Sequence, residues 1–184
     1  MDILERAKKV KAVVLDVDGV LTDGGIYESE NGELFKHFNC RDGLGISLAR
    51  KSGLKLAIIT GRTSPPVDYR AKELKFDAIW QGVMDKRDAY RELKEKFSLE
   101  DEEICYVGDD LIDLPILTQV GFAAAVADAM PEVKERVHYV AKFNGGFGGV
   151  RDVIEYILKA KGEWDNILDG YLAKENQDVK NISQ

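Results

Sequence analysis

The sequence lacks any apolar run long enough to span a bilayer and any concentrated stripe of basic residues. Its formal net charge is −7 at pH 7, so nucleic acid is not expected as its main partner. Residues 1–6 are charged and mixed in character, unlike a secretory signal peptide. We therefore expect a cytoplasmic protein that binds neither a membrane nor nucleic acid.

Cysteine is also scarce, because Cys40 and Cys105 are the only two in 184 residues. They lie in unrelated contexts, and Cys105 falls inside a segment that resembles a buried strand. We expect reduced thiols and do not infer a disulfide. A chain of this length suits one compact domain with a substantial core.

Short apolar segments alternate with helical patterns from end to end. The segments that resemble strands are 12–17, 56–60, 78–80, 104–107, 122–126 and 138–140. The clearest helix covers 86–97, where Ala89, Leu93 and Phe97 recur every four residues. Nearly continuous apolar strands separated by helices indicate an α/β fold, with a Rossmann-like parallel sheet covered on both faces. Such folds bind their ligands at the carboxyl ends of the strands.

A β-hairpin insertion is predicted at about residues 25–38. The dipeptide Asn31-Gly32 is a strong turn signal between two short strands. Strict alternation places Tyr27 and Phe35 on opposite faces of this hairpin. Because both faces carry apolar side chains, we expect the hairpin to pack either on its own domain or on another subunit.

Two amphipathic stripes complete the chain. The first lies within 150–158 and belongs to the main domain of residues 1–162. The second predicts a helix at 163–174, whose apolar face must pack against the domain or a neighbour. Residues 175–184 are polar, and we expect them to form a flexible tail.

The first chemical signal stands at the end of the first predicted strand, where Asp16 and Asp18 precede Gly19. Residues i and i+2 of a strand share a face, so the two acidic residues can converge as the strand unwinds at Gly19. Such a cluster suits a hard divalent cation and a phosphoryl group. A solvated turn after a strand can have the same composition.

Later segments supply further polar groups. Thr60, Gly61 and Arg62 follow a strand and offer a hydroxyl, a close approach to the backbone and a guanidinium for an anion. Lys86 opens a predicted helix, where the helix macrodipole disfavours a cation. It can therefore serve to neutralise a phosphate, or it can be an ordinary surface lysine.

Three acidic residues, Asp109, Asp110 and Asp113, follow a buried strand after Gly108. Paired carboxylates repel each other unless a cation joins them, so Asp109 with Asp110 or Asp113 can complete a magnesium site. Asp113 lies shortly before Pro115 and can instead cap the next helix.

The order Asp-x-Asp, Thr, Lys and Gly-Asp-Asp on successive strands resembles the haloacid dehalogenase superfamily of phosphotransferases, over at least residues 12–140. Within it, the chain is similar to the family of 3-deoxy-D-manno-octulosonate 8-phosphate phosphatases in segments 16–24, 38–43, 59–62, 107–113 and the glycine-rich 145–151. The resemblance implies a haloacid dehalogenase fold without a large cap domain, in which only the short hairpin is inserted.

The resemblance also implies a mechanism. Asp16 would attack phosphorus to form an aspartyl-phosphate, and Asp18 would act first as general acid and then as general base. Thr60 and Lys86 would hold the phosphoryl oxygens.

The cofactor implied by the resemblance is Mg²⁺. Its ligands would be the carboxylates of Asp16 and Asp109 and the main-chain carbonyl of Asp18. Asp110 and Asp113 would be supporting acidic residues.

The substrate implied by the resemblance is a phosphorylated sugar acid, and the family's contacts to it fall on Asn39, Arg41, Asp42, Gly43, Gly61, Arg62 and Arg70. Arginine suits the carboxylate of an ulosonic acid. Cys40 and Ser47 depart from the valine and the basic residue usual in the family, so one anion contact is expected to be missing. The family's hairpins assemble a tetramer and a neighbour's tail approaches the site, so we expect a homotetramer formed through the hairpin.

Three other functions stay open. The same scaffold serves phosphatases that act on nine-carbon sugar acid 9-phosphates of the sialic acid type. A signalling receiver domain also surrounds a phosphorylated aspartate with acidic residues, threonine and lysine, but its acidic pair comes early and its acceptor aspartate later. A catalytically silent structural subunit would not need the complete set of motifs.

Overall fold

A computed structural model describes residues 1–30 and 32–182, with side chains described except at 33, 34 and 174–182. Its strands are β1 (Ala12–Leu15), β2 (Tyr27–Ser29), β3 (Gly32–Phe35), β4 (Lys55–Ile59), β5 (Ala78–Trp80), β6 (Ile104–Gly108), β7 (Phe122–Ala125) and β8 (Tyr139–Val140). Its helices are α1 (Ile3–Lys9), α2 (Cys40–Lys51), α3 (Pro65–Leu74), α4 (Lys86–Phe97), α5 (Leu114–Leu117), α6 (Pro131–Lys134), α7 (Gly149–Ala160) and α8 (Trp164–Ile182).

Six strands form one parallel sheet in the order β5-β4-β1-β6-β7-β8. Each of the six strands predicted from the sequence is present, with ends that differ by at most two residues. Every residue of β1, β6 and β7 is buried, and successive residues of a strand face opposite sides. Helices therefore cover both faces of the sheet, which confirms the predicted α/β fold.

The hairpin of β2 and β3 follows β1, and an isolated bridge between Thr22 and Phe38 closes its base. The predicted arrangement of its faces is wrong, because Tyr27 pairs with Phe35 and their rings stack with centroids 4.6 Å apart. An irregularity in the pairing between Tyr27 and Glu28 shifts the register, so the strict alternation fails there. Asn31 of the predicted turn lies outside the described residues.

Two helices, α7 and α8, contain the two predicted amphipathic stripes. Helix α7 packs along α2 and buries its apolar stripe, and the indole of Trp164 lies against Arg151 and Lys159 at 5.3 and 5.4 Å. Helix α8 reaches Ile182, so it is longer than the predicted 163–174. Residues 183 and 184 lie outside the described part, and the flexibility of 175–184 stays a prediction.

The two cysteines lie apart and are both free, with Cys105 buried in β6 and Cys40 exposed at the start of α2. The expectation of unpaired thiols is therefore confirmed. Within the described residues, no helix combines the length and the apolar character that crossing a membrane requires.

Candidate active site

Three neighbouring strands bring the predicted chemical groups together at one edge of the sheet. Asp16 follows β1 directly, Thr60 follows β4 and Asp109 follows β6. A cavity of about 190 Å³ opens there and is lined by Asp16, Asp18, Thr60, Gly61, Arg62, Met84, Asp109, Asp110 and Ile112. Seven of these nine residues were predicted from the sequence, whereas Met84 and Ile112 were not.

Asp16, Asp109 and Asp113 form an acidic cluster in which one carboxylate oxygen from each residue lies within 4.8 Å of those from the other two. Burial and the nearby charge of Asp113 raise the pKa of Asp16 to about 6. Burial and the charges of Asp16 and Asp113 raise the pKa of Asp109 to about 8. The buried Oδ1 of Asp109 accepts no hydrogen bond within the described part of the chain. Hard oxygen donors whose charges repel in this way fit a divalent cation such as Mg²⁺.

Lys86 reaches this cluster from the protein interior. It is the first residue of α4, which Asp85 caps by accepting from the backbone N–H of Arg87, yet the Lys86 side chain is fully buried. Its Nζ lies 2.9 Å from Asp16 Oδ1 and donates to Asp113 Oδ1 at 2.7 Å. Burial acts to lower the pKa of Lys86, but the two carboxylates outweigh it and raise that pKa. The surface-lysine alternative is therefore wrong, and the ammonium neutralises the site from behind.

Asp113 fixes the turn that carries Asp109. One carboxylate oxygen accepts from Lys86 Nζ and from the Tyr106 hydroxyl at 2.7 Å, and the other accepts from the backbone N–H of Asp109 at 3.0 Å. A Cβ on Gly108 would lie 2.5 Å from the Asp113 carboxyl carbon, so only glycine permits this close approach. The side chain of Asp113 makes no capping bond to α5, so its alternative role as that helix's cap is not observed.

Asp18 has a partner that sequence reasoning missed. Lys36 follows β3 of the hairpin, and its Nζ donates to Asp18 Oδ1 at 2.5 Å. The Lys36 side chain is only 3% exposed. A lysine next to Phe35 in an apolar hairpin strand was an unusual feature in the sequence, but a regular strand register could not predict its contact with Asp18.

Several predicted substrate residues instead hold the glycine-rich segment at residues 145–149. Asn39 Oδ1 accepts from the backbone N–H of Arg41 at 2.8 Å, and its Nδ2 donates to the Gly146 carbonyl at 3.1 Å. The buried carboxylate of Asp42 accepts from the backbone N–H of Gly148 at 3.2 Å and of Arg151 at 2.7 Å. Burial raises the pKa of Asp42 despite these bonds. The side chains of Asn39 and Asp42 therefore hold backbone segments in place.

The glycine-rich segment in turn supports the loop that follows Asp16. The backbone N–H of Gly146 donates to the Val20 carbonyl at 3.1 Å, and that of Gly145 donates to Asp128 Oδ1 at 2.9 Å. A Cβ on Gly145 would lie 1.6 Å from the carbonyl oxygen of Gly19. The backbone of the glycine-rich segment therefore packs directly on the backbone of the loop that carries the candidate site.

The predicted cationic residues are spread around the cavity rather than gathered in it. Arg62 lines the cavity, is exposed and lies 3.4 Å from Glu28 of the hairpin. The guanidinium of Arg70 pairs with Glu73 at 2.6 Å and lies close to Gly43. Among the described residues that line the cavity, none is Asn39, Arg41, Asp42, Gly43, Arg70 or Lys86. The role of the first five as substrate contacts stays a prediction.

Comparison with known proteins agrees with this geometry. Residues 78–154 match the family model described as haloacid dehalogenase-like hydrolase. The 3-deoxy-D-manno-octulosonate 8-phosphate phosphatase KdsC of Escherichia coli strain K12 is 44% identical over 164 residues, which cover 89% of this chain and 87% of that protein. The crystal structure of the Yersinia pestis phosphatase of the same name is similar with a TM-score of 0.87 and 43% identity, covering 89% of both chains. The Moraxella catarrhalis phosphatase, solved with magnesium ion, phosphate ion and KDO, has a TM-score of 0.89 and 40% identity, covering 92% of this chain and 97% of that one.

Proposed function

Because this chain belongs to the family of 3-deoxy-D-manno-octulosonate 8-phosphate phosphatases within the haloacid dehalogenase-like hydrolases, we propose that it hydrolyses that sugar-acid phosphate to the free sugar acid and phosphate. The observation that carries the proposal is the acidic cluster of Asp16, Asp109 and Asp113, neutralised from behind by Lys86 at the floor of a small cavity. A structural subunit would not need this costly concentration of buried charge.

The residues present fit Mg²⁺ as the cofactor. The carboxylates of Asp16 and Asp109 and the main-chain carbonyl of Asp18 would hold it, and Asp113 would keep the Asp109 turn in place. When bound, the cation neutralises negative charge on the phosphoryl group. The Oδ1 atom of Asp109, which accepts no hydrogen bond from any described group, is available as a ligand for the cation.

We assign the chemical steps to the cavity residues. Asp16 attacks phosphorus, so that its bond to the phosphoryl group forms as the bond to the sugar oxygen breaks, and Asp18 gives the departing oxygen a proton. Asp18 then takes a proton from water as the water oxygen attacks phosphorus and releases Asp16. Thr60 donates to a phosphoryl oxygen. Lys86 keeps the Asp16 carboxylate charged and oriented rather than contacting the substrate from the cavity side.

The cavity is too small for the whole substrate, and this supports self-association. Ligand sites usually measure about 300–1,000 Å³, so a cavity of about 190 Å³ accommodates the phosphoryl end of an eight-carbon sugar acid and little more. Beside it, a groove of about 500 Å³ lies between the hairpin and α3 and is lined by Phe35, Phe38, Tyr69 and Arg70, among others. Because the side chains of Ile26 and Phe35 are largely exposed, we propose that the hairpins assemble a homotetramer that completes each site. The cytoplasmic location stays part of this proposal.

Phosphate release from a panel of sugar phosphates tests the function. With Mg²⁺, the eight-carbon sugar acid 8-phosphate should be turned over faster than a nine-carbon sugar acid 9-phosphate or hexose phosphates. Asp16→Asn removes the nucleophile and should abolish turnover of every substrate. A preference for the nine-carbon ester would reassign the substrate, and undiminished turnover by Asp16→Asn would overturn the mechanism.

A further inference from the structure

The ion pair between Lys36 and Asp18 joins the hairpin to the active site. Asp18 lines the small cavity at the sheet edge, whereas Lys36 lines the groove between the hairpin and α3. Their side chains meet in the wall between the two cavities, with Nζ 2.5 Å from Oδ1. The hairpin therefore contributes a charged group that touches a residue of the proposed acid–base machinery.

The burial of Lys36 requires an explanation. Its side chain is 3% exposed, and a lysine ammonium withdrawn from water is strongly disfavoured unless it is paired. Lysine usually extends its ammonium into solvent from an apolar surface, as an exposed hairpin would readily allow. Here the ammonium is instead directed inward, to the carboxylate of Asp18.

We propose that Lys36 is a positioning residue for the acid–base steps assigned to Asp18, an inference that rests on the proposed function. Lys36 occupies Oδ1, so we assign the transferred proton to Oδ2. An ammonium can donate to Oδ1 whether Oδ2 carries the proton or not, because the carbonyl oxygen of a carboxylic acid is also an acceptor. Lys36 thus keeps Asp18 in one orientation while it first gives and then takes a proton.

This role predicts a particular dependence on the leaving group. An alkyl phosphate such as a sugar phosphate needs a proton on its departing oxygen, whereas p-nitrophenolate departs as a stable anion. Loss of Lys36 should therefore slow the first chemical step for alkyl esters and leave it nearly unchanged for p-nitrophenyl phosphate. General acid–base catalysis typically contributes about 10²–10⁴-fold, so mispositioning of Asp18 should cost alkyl esters about 10²-fold.

The experiment measures single-turnover rates of release of the alcohol or phenol, which report the first chemical step, with Mg²⁺ and a series of aryl and alkyl phosphates whose leaving groups increase in basicity. Lys36→Met should make the plot of log rate against leaving-group pKa steeper, and Lys36→Arg should restore the wild-type slope. Lys72→Met, on the exposed surface of α3, is the matched control and should leave every rate unchanged. Light scattering and thermal unfolding check assembly and folding, and Lys36→Gln replaces Lys36→Met if the latter does not fold.

The outcomes separate the two proposals. A steeper slope in Lys36→Met supports the positioning role. A parallel loss for all esters would show that Lys36 only maintains the structure, and unchanged rates would show that it does nothing for catalysis, so either result overturns the inference. Failure of the wild-type protein to hydrolyse any ester would instead overturn the proposed function.

Discussion

Replacing Lys86 with methionine should remove a large part of the protein's stability. Its Nζ lies 2.9 Å from Asp16 Oδ1 and 2.7 Å from Asp113 Oδ1, and the side chain has no exposed surface. Removing one partner of a buried ion pair costs about 3–5 kcal/mol, because the other charge stays buried without compensation. Since domains have free energies of unfolding of about 5–15 kcal/mol, the Lys86→Met variant should fold but be much less stable than the wild-type protein.

The size of this loss should depend on pH with a defined sign. Even with Lys86 present, burial and the charge of Asp113 raise the pKa of Asp16 to about 6, and loss of the ammonium raises that pKa further. A carboxyl whose pKa is raised on folding destabilises the protein as pH increases from the unfolded toward the folded pKa. The cost of Lys86→Met should therefore be larger at about pH 8 than at about pH 5.5, where Asp16 is largely protonated.

Urea unfolding without Mg²⁺, followed by far-ultraviolet circular dichroism at both pH values, measures the loss. Lys72→Met, which removes an exposed lysine, should change the free energy of unfolding by less than about 0.5 kcal/mol. A loss below about 1 kcal/mol for Lys86→Met, the value typical of a surface pair, would refute the argument that this ammonium neutralises buried charge. An equal loss at both pH values would refute the assignment of that charge to Asp16.

Three further outcomes are expected. Burial and neighbouring charges raise the pKa of Asp16 to about 6 and that of Asp109 to about 8, so Mg²⁺ must displace protons from these carboxyls. The affinity for Mg²⁺ should therefore increase between pH 6 and pH 8. Titration calorimetry in buffers of different ionisation enthalpy would detect the release of protons, and an affinity that stays constant with pH would contradict the prediction. Gly145→Ala should abolish activity because an added Cβ would lie 1.6 Å from a backbone oxygen of the loop after Asp16. The control is Gly170→Ala in α8, where the added Cβ meets nothing within 4 Å; it should leave activity intact and raise the free energy of unfolding by about 1 kcal/mol. Equal activities of the two variants would refute the close contact at Gly145. Phe35→Ser on the exposed hairpin should dissociate the proposed tetramer, as measured by light scattering, and an unchanged mass would exclude this surface from the interface.

The groups at the sheet edge could be predicted from the sequence because their positions follow from topology. Parallel strands present their carboxyl ends along the same edge, so Asp16, Thr60 and Asp109 had to approach one another once three strands were correctly identified. The burial of Lys86 follows less directly. Its position at a helix start was recognised as unusual, but only the fold shows that its ammonium lies behind Asp16 rather than in the cavity.

The remaining contacts could not be predicted because they depend on local irregularity and on distant partners. The stacking of Tyr27 on Phe35 results from an irregular register that no alternation rule anticipates. The family resemblance placed Asn39 and Asp42 among the substrate contacts. Their side chains bind backbone groups of a segment more than 100 residues away, a pairing that neither local pattern nor composition encodes.

The glycine-rich segment at residues 145–149 determines when, during synthesis, the candidate site can take its final structure. All the acidic motif residues precede it, yet the loop after Asp16 is supported by the backbone of Gly145 and Gly146. During synthesis Asp16, the proposed nucleophile, therefore emerges from the ribosome long before the segment that supports its loop. Contacts of such sequence separation can form only after the later segment has been synthesised, and they form slowly because closing so long a loop costs conformational entropy. Catalytic competence is thereby withheld until nearly the whole domain has been made.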